Sequence, residues 1–237
     1  MQAIIDAFVR KLEAFIDLRP DELRVLQALQ GPSVQIAAGK EIIHEGQHRS
    51  SAYILHEGWA YSCKRLPDGE RQIIDIQIPG DFLGLHSSML RMSDQTFVAL
   101  TNLQITKINM DRSLEFVQSH PRLAAALLRC VAHDEAIIAE HLVSIGKRDA
   151  LERTAHFLLE FGSRMGSIGR FSNDSYECPI SQPILADALG ITTTHLNRIL
   201  RRLRERELVM FRNGTVIFLN RSKLVEATGF DRSYLEE

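Results

Sequence analysis

The sequence predicts an α+β chain: an antiparallel β sandwich or barrel, then a long helix, then two short helices followed by a β hairpin. Three observations predict it. Between Ser33 and about Ile108, short β-rich runs alternate with glycine turns, as in "EIIHEG", "SAYILHEGWAYSCKRL" and "TFVALTNLQITKI". From Pro121 to about Ile145, apolar residues recur at helical spacing. Further on, "LADALGITTTHLNRILRRLR" sets two amphipathic segments either side of Gly190, and "ELVMFRNGTVIFLN" adds two β runs joined by Asn213-Gly214.

The 237 residues are 45% hydrophobic and 24% charged, a soluble composition with length for two modest domains. No apolar run approaches the roughly 20 residues of a membrane span. The start, "MQAIIDAFVRKLEAF", lacks a signal peptide's apolar block and cleavage site, so the expected location is the cytoplasm. Cys63, Cys130 and Cys178 are too far apart for a close-spaced metal or redox pair and read as small buried residues, with one redox-sensitive thiol left open. The formal charge is −2, but it is uneven: residues 1–145 carry 14 Lys/Arg against 18 Asp/Glu, and residues 146–237 carry 14 against 12. Local basic patches matter more for phosphate contact than the total.

The elements follow in order. "IIDAFVRKLEAFI" and "RPDELRVLQAL" read as two helices, the second opened by Pro20 and early acids. The runs from "SVQIAAG" to "TFVALTNLQITKI" are strands, with "PDG" as a turn between two of them. In the long helix, Ala124, Val131, Ile138 and Ile145 recur every seven residues, beside the rows Leu127, Asp134, His141 and Leu128, Glu135, Leu142. A sevenfold apolar row is a coiled-coil seam, and polar positions within it set register and oligomeric state. Leu127, Val131, Asp134, Ile138, His141 and Ile145 are therefore expected at a parallel dimer seam; the alternative is a helix buried on its own domain. "GKRD" at Gly146–Asp149 breaks this helix and divides the chain into residues 1–120, 121–146 and 147–237. "DALERTAHFLLEFGSRMG" is a further helix ending near Gly162, and "SIGRFSNDSYEC" a polar surface loop.

The two short helices flanking Gly190 form a helix-turn-helix pattern. At about 100° per residue, Leu196, Ile199, Leu200 and Leu203 fall on one face of the second helix, and Thr194, Asn197, Arg198 and Arg201 on the other. Thr192 suits the N-cap. Such a helix can place polar side chains in the major groove: Arg198 bidentate to guanine, Asn197 to adenine. Thr192, Thr193 and His195 suit phosphates at the helix start. The Asn213-Gly214 hairpin reads as a wing with Arg212 at its tip. The bland alternative is a solvated basic face on an ordinary helix hairpin.

These parts, in this order, resemble the Crp/Fnr family of bacterial transcription regulators over nearly the whole chain. The resemblance rests on "AAGKEIIHEG…AYILHEGWA…DGERQIIDIQIPGDFLG", the long helix and "ISQPILADALGITTTHLNRILRRLRERELV". It implies an N-terminal double-stranded β-roll (jelly-roll) sensor domain, a dimerisation helix and a C-terminal winged helix-turn-helix. It also implies a homodimer on a two-fold double-stranded DNA operator, with RNA polymerase as a further partner.

The family's cyclic-AMP-binding members carry a Glu just after "GDF-G" and an Arg-Ser/Thr pair about ten residues later. Here the Glu position is Leu85 and the Arg position Gln95; Thr96 fits. Leucine cannot hold a ribose hydroxyl, and neutral glutamine is a poor phosphate partner beside arginine's charged fork. Weak or no cyclic AMP binding is expected, with Arg91 the one candidate to replace the lost charge. His86, Ser87 and Ser88 stand either in an effector pocket or on a helical surface turn. The iron–sulfur members carry an N-terminal cysteine cluster, and the first 62 residues here contain no cysteine, so no iron–sulfur cluster is expected. No cofactor is predicted; haem, through His44, His48, His56 or His86, or another small-molecule effector is left open. Many relatives carry Glu where Thr194 stands, so the operator is expected to differ from theirs. No nucleophile elbow, phosphate loop or metal-spaced cluster points to an enzyme. The competing reading is a ligand-binding or scaffold protein whose winged helix makes protein contacts.

Overall fold

The computed structural model describes residues 6–48, 51–108, 116 and 118–235. Ile4 and Ile5 of the first expected helix, and most of "NMDRSLEFVQSH", lie outside them. The chain forms two compact units, Met1–Asp134 and Glu135–Glu237, whose division falls inside the long helix.

The first unit opens with α1 (Asp6–Glu13) and α2 (Pro20–Leu29). Pro20 sits at the first helical position, where a missing N–H costs nothing, and the Glu22 carboxylate accepts the Arg19 N–H at 2.9 Å. Eight strands follow: β1 (Gln30–Ile36), β2 (Glu41–Ile43), β3 (Ala52–Glu57), β4 (Ala60–Arg65), β5 (Arg71–Gln77), β6 (Phe82–Leu83), β7 (Thr96–Ala99) and β8 (Leu103–Ile108). They build two antiparallel sheets ordered β1-β8-β3-β6 and β2-β7-β4-β5. Pro67-Asp68-Gly69 turns β4 into β5, with Gly69 at φ 89°. Between the sheets, Ile43, Leu55, Ala60, Leu83, Phe97 and Ile105 form one buried cluster, the interior of the β-roll. A second cluster covers the other face of the β1-β8-β3-β6 sheet. Ala52, Ile54 and Phe82 meet Phe8 and Leu12 of α1, Leu26 of α2, and Leu123 and Ala126 beyond. Alternate residues of β3 thus enter two cores, which a near-continuous apolar run permits.

After the single-turn helix α3 (Leu85–Met89), between β6 and β7, the long helix, α4, runs Pro121–Lys147. Gly146 stays helical, and the break comes at Arg148. Asp149 causes the restart: its carboxylate accepts the Leu151 and Glu152 N–H groups at 2.8 and 2.9 Å, and Glu152 returns a bond to the Asp149 N–H. Helix α5 then runs Ala150–Ser167, five residues past the end expected at Gly162. Gly162 is not a stop but a close approach. A Cβ there would lie 2.9 Å from Phe218 Cε2 and 3.5 Å from Tyr176 Cε1, both in buried rings. Gly162→Ala is expected to destabilise the second unit by about 1–3 kcal/mol through overpacking, read as a lowered melting temperature.

The stretch expected to be a surface loop ends in a strand, β9 (Ser175–Glu177), with Tyr176 buried. Three residues are too few to show an alternating pattern. Helices α6 (Gln182–Leu189) and α7 (Thr193–Glu205), strands β10 (Val209–Arg212) and β11 (Thr215–Phe218), and α8 (Arg221–Thr228) complete the unit. Strand β11 lies between β10 and β9 in a three-stranded sheet. Among the described residues, no helix is long and apolar enough to cross a membrane.

Candidate nucleic-acid interface

Helix α6 buries Leu185, Ala186 and Leu189. It ends at Gly190, in the left-handed conformation at φ 62°, whose N–H bonds back to the Ala186 and Asp187 carbonyls, while the Ile191 N–H reaches the Ala186 carbonyl at 3.0 Å. That tight stop lets the chain re-enter a helix after three residues. Thr192 caps α7: its Oγ1 accepts the His195 N–H at 3.2 Å. A capping hydroxyl still has its own proton to donate outward.

Leu196, Ile199 and Leu203 of α7 are buried, and Leu200 is half-buried. Thr192, Thr194, His195, Asn197, Arg198 and Arg201 are exposed, and Thr193 is half-buried. The polar set is therefore together on one outward surface. Arg201 makes an exposed 3.6 Å pair with Glu205, which solvent screens. The hairpin of β10 and β11 turns at Asn213 (φ 52°) and Gly214 (φ 70°), both left-handed, as a two-residue hairpin turn requires. Arg212, exposed, is the last residue before that turn.

Nothing in the sequence singles out Arg153, yet it ties this region together. Its guanidinium donates to the Leu189 carbonyl at the end of α6 (2.6 Å), and to the Ile145 (3.0 Å) and Arg148 (3.2 Å) carbonyls at the end of α4. One cation so satisfies last-turn carbonyls of two helices, where positive charge is favoured. Glu160 is a second such residue, its signal a lone acid inside "HFLLEFG". It is fully buried and accepts from His141 Nε2 at 2.9 and 3.1 Å and from the Tyr234 hydroxyl at 3.0 Å, with Arg164 at 3.5 Å. Burial alone would raise its pKa, but the His141 charge and hydrogen bond, with Arg164 and Tyr234, outweigh it and hold the carboxyl at about 2. Nearby His156 is pushed down to about 4, first by burial and then by the Arg148 charge.

The residues expected at the seam separate. Leu127 and Val131 pack on the first unit's core. Asp134 pairs with Lys11 Nζ (3.2 Å), which also holds Asp81 (2.8 Å). Burial opposes charge on Lys11, and the two carboxylates outweigh it, so the ammonium is held charged. His141 takes Glu160. Ile138 and Ile145 are exposed, beside Leu128 at 66% and Leu142 at 72%. At about 100° per residue, Leu128, Glu135, Ile138, Leu142 and Ile145 share one arc of roughly 100°.

The cassette residues form α3 (Leu85–Met89), a single helical turn closed by its own bonds. Ser87 Oγ donates to Asp94 (2.9 Å), Ser88 Oγ to the Leu85 carbonyl (2.6 Å), and His86 Nε2 lies 3.4 Å from Asp94. Thr96 Oγ1 accepts the Glu45 N–H at 3.1 Å; Gln95 is buried and Arg91 exposed. Leu85 and Gln95, the two positions expected to carry charged anchors, are uncharged and buried. The other histidines have separate partners: His44 pairs with Glu41, and His56 shares a 2.8 Å bond with Thr106. His48 bridges to Met92. All three cysteines are buried, and burial pushes Cys178 up to about 12 and raises Cys63, so neither is a ready thiolate.

Residues 33–120 match the cyclic nucleotide-binding domain family, and residues 152–227 the Crp-like helix-turn-helix domain family. The chain is 28% identical to the nitrogen fixation regulation protein FixK of Bradyrhizobium diazoefficiens, over 92% of this chain and 91% of that protein. It is 30% identical to the FixK protein of Rhizobium meliloti, over 76% of this chain and 78% of that protein. The solved structure of FixK2 from Bradyrhizobium japonicum superposes with a TM-score of 0.74 at 24% identity, covering 82% of this chain and 96% of that one.

Proposed function

The chain belongs to the Crp/Fnr family of DNA-binding transcription regulators, and from that premise we propose that it acts as a homodimer on a two-fold operator. The observation that carries the reading is the outward polar face of α7, with its capped start and a cationic wing beside it. Arg198 and Asn197 read base edges in the major groove; Arg201 and Arg212 neutralise phosphates. Thr192, Thr193 and His195 hold the phosphate nearest the helix start, and Thr194 sets the base preference apart from relatives that carry an acid there. The seam that joins two copies centres on Leu128, Ile138, Leu142 and Ile145. RNA polymerase is the expected further partner.

The regulating signal acts on the first unit and is not cyclic AMP, because Leu85 and Gln95 stand where charged anchors would be needed. A signal works only by favouring one of two arrangements of the protein, and α4 runs from one unit into the other.

Selection from random double-stranded DNA yields the operator, and its absence would favour protein contacts for the winged helix. On that operator, Arg198→Ala is expected to cost on the order of 1–3 kcal/mol and to relax one base position in each half-site. A footprinting titration unchanged by the substitution removes Arg198 from base readout.

A further inference from the structure

The interior of the β-roll is filled: Ile43, Leu55, Phe97 and Ile105 are buried there in one cluster. Space lies instead on the other side of the β1-β8-β3-β6 sheet. A cavity of about 120 Å³ is bounded by α1 and α2, by residues of β3, β6 and β8, by α3, and by the first half of α4. Phe8, Ile54, Phe82, Leu85, Ala124 and Leu127 typify its walls, and among the described residues no charged, amide or hydroxyl side chain lines it. Met89 and Leu128 at its rim are 62% and 66% exposed, so the space opens outward on one side, and its apolar walls face water at a cost of about 25 cal/mol per Å² while it is empty. Water is a poor occupant, since it would find no partner. A charged or strongly polar ligand would lose hydration and gain nothing. Engineered apolar cavities of about 150 Å³ stay dry and take up benzene or xenon.

We infer that this cavity is a ligand site for a small uncharged apolar molecule, of about the size of one aromatic ring. The site touches both N-terminal helices and one face of α4. Leu128, which also lines it, belongs to the proposed dimer seam. An occupant therefore bears on the residues that would join two copies, which is what a regulating ligand must do. That consequence rests on the regulator reading; the binding itself does not.

Toluene is the probe, with cyclic AMP as control. At tenfold its Kd, toluene is expected to raise the melting temperature of the full-length protein by about 3–6 °C. Ala124→Leu, which pushes a larger side chain into the cavity, abolishes that rise, and cyclic AMP produces none. Without any variant, methyl-labelled wild-type protein is expected to show toluene contacts at Leu85, Leu127 and Val131 by nuclear Overhauser effects. An equal rise in Ala124→Leu, or no toluene contact at those methyls, overturns the inference. Contacts from the partner copy's methyls in their place assign the space to the second copy and overturn it equally. Operator binding, read by gel shift on the same protein without toluene, decides the regulator reading separately.

Discussion

Ile138→Asp is expected to convert the protein from dimer to monomer and to weaken operator binding by about 10²- to 10⁴-fold, the avidity that two linked half-site readers provide. Ile138 is 39% exposed within one chain, so replacing it barely disturbs that chain's own core. In a coiled-coil seam, the same position would put two carboxylates against each other in an apolar contact, where burying charge is expensive. Leu142→Asp, at a side chain 72% exposed, should do the same. Multi-angle light scattering reads the outcome, and a dimer intact after both substitutions places the interface elsewhere. Asp134→Asn is the contrasting control. Asp134 is engaged by Lys11 in its own unit, so its loss should lower stability and leave the dimer in place.

The second large effect concerns Glu160. Glu160→Ala removes the acceptor shared by His141, Tyr234 and Arg164, and leaves buried donors and positive charge without compensation. Breaking such a buried pair costs about 3–5 kcal/mol. Glu160→Gln keeps an acceptor oxygen and should cost less, so urea unfolding of the two variants separates lost charge from lost space. The same group makes stability pH-dependent. Its folded pKa, about 2, lies below its ordinary 4.5, so the stabilisation is fully present above about pH 4.5 and is lost as pH falls through about 2. The shift corresponds to about 3 kcal/mol in wild type, absent from Glu160→Gln. Equal acid sensitivity in the two proteins would show that other carboxylates govern acid unfolding.

Much of the interface was legible from residue order. Gly190, Thr192 and Asn213-Gly214 each carry local chemistry that only one backbone shape satisfies, so the helix-turn-helix and the wing could be placed before any tertiary contact was known. The apolar stripe of α7 separated Leu196, Ile199 and Leu203 from Asn197 and Arg198 for the same reason. The cassette was half legible. Leu85 and Gln95 are uncharged by residue type alone, whereas Ser87 and Ser88 fit a pocket or a helical turn equally in sequence, and only the fold shows their hydroxyls bonded to Asp94 and the Leu85 carbonyl. Gly162 read as a helix stop because nothing in its neighbours in sequence reveals the ring of Phe218 packed against it.

By itself, then, the sequence determined the kind of protein: a β-roll, a long helix and a winged helix-turn-helix with a polar, arginine-bearing outward face. Those features are written in short-range periodicity, turn residues and caps, each set within a few positions of the chain. Only the tertiary structure decided which face of α4 is free, where Asp134 and His141 go, and where the first unit holds its apolar space. Adjacent heptad rows on a helix lie only tens of degrees apart. Which of them turns outward depends on Lys11, Glu160 and the core residues that claim the others, and these stand from 19 to more than a hundred positions away in the chain.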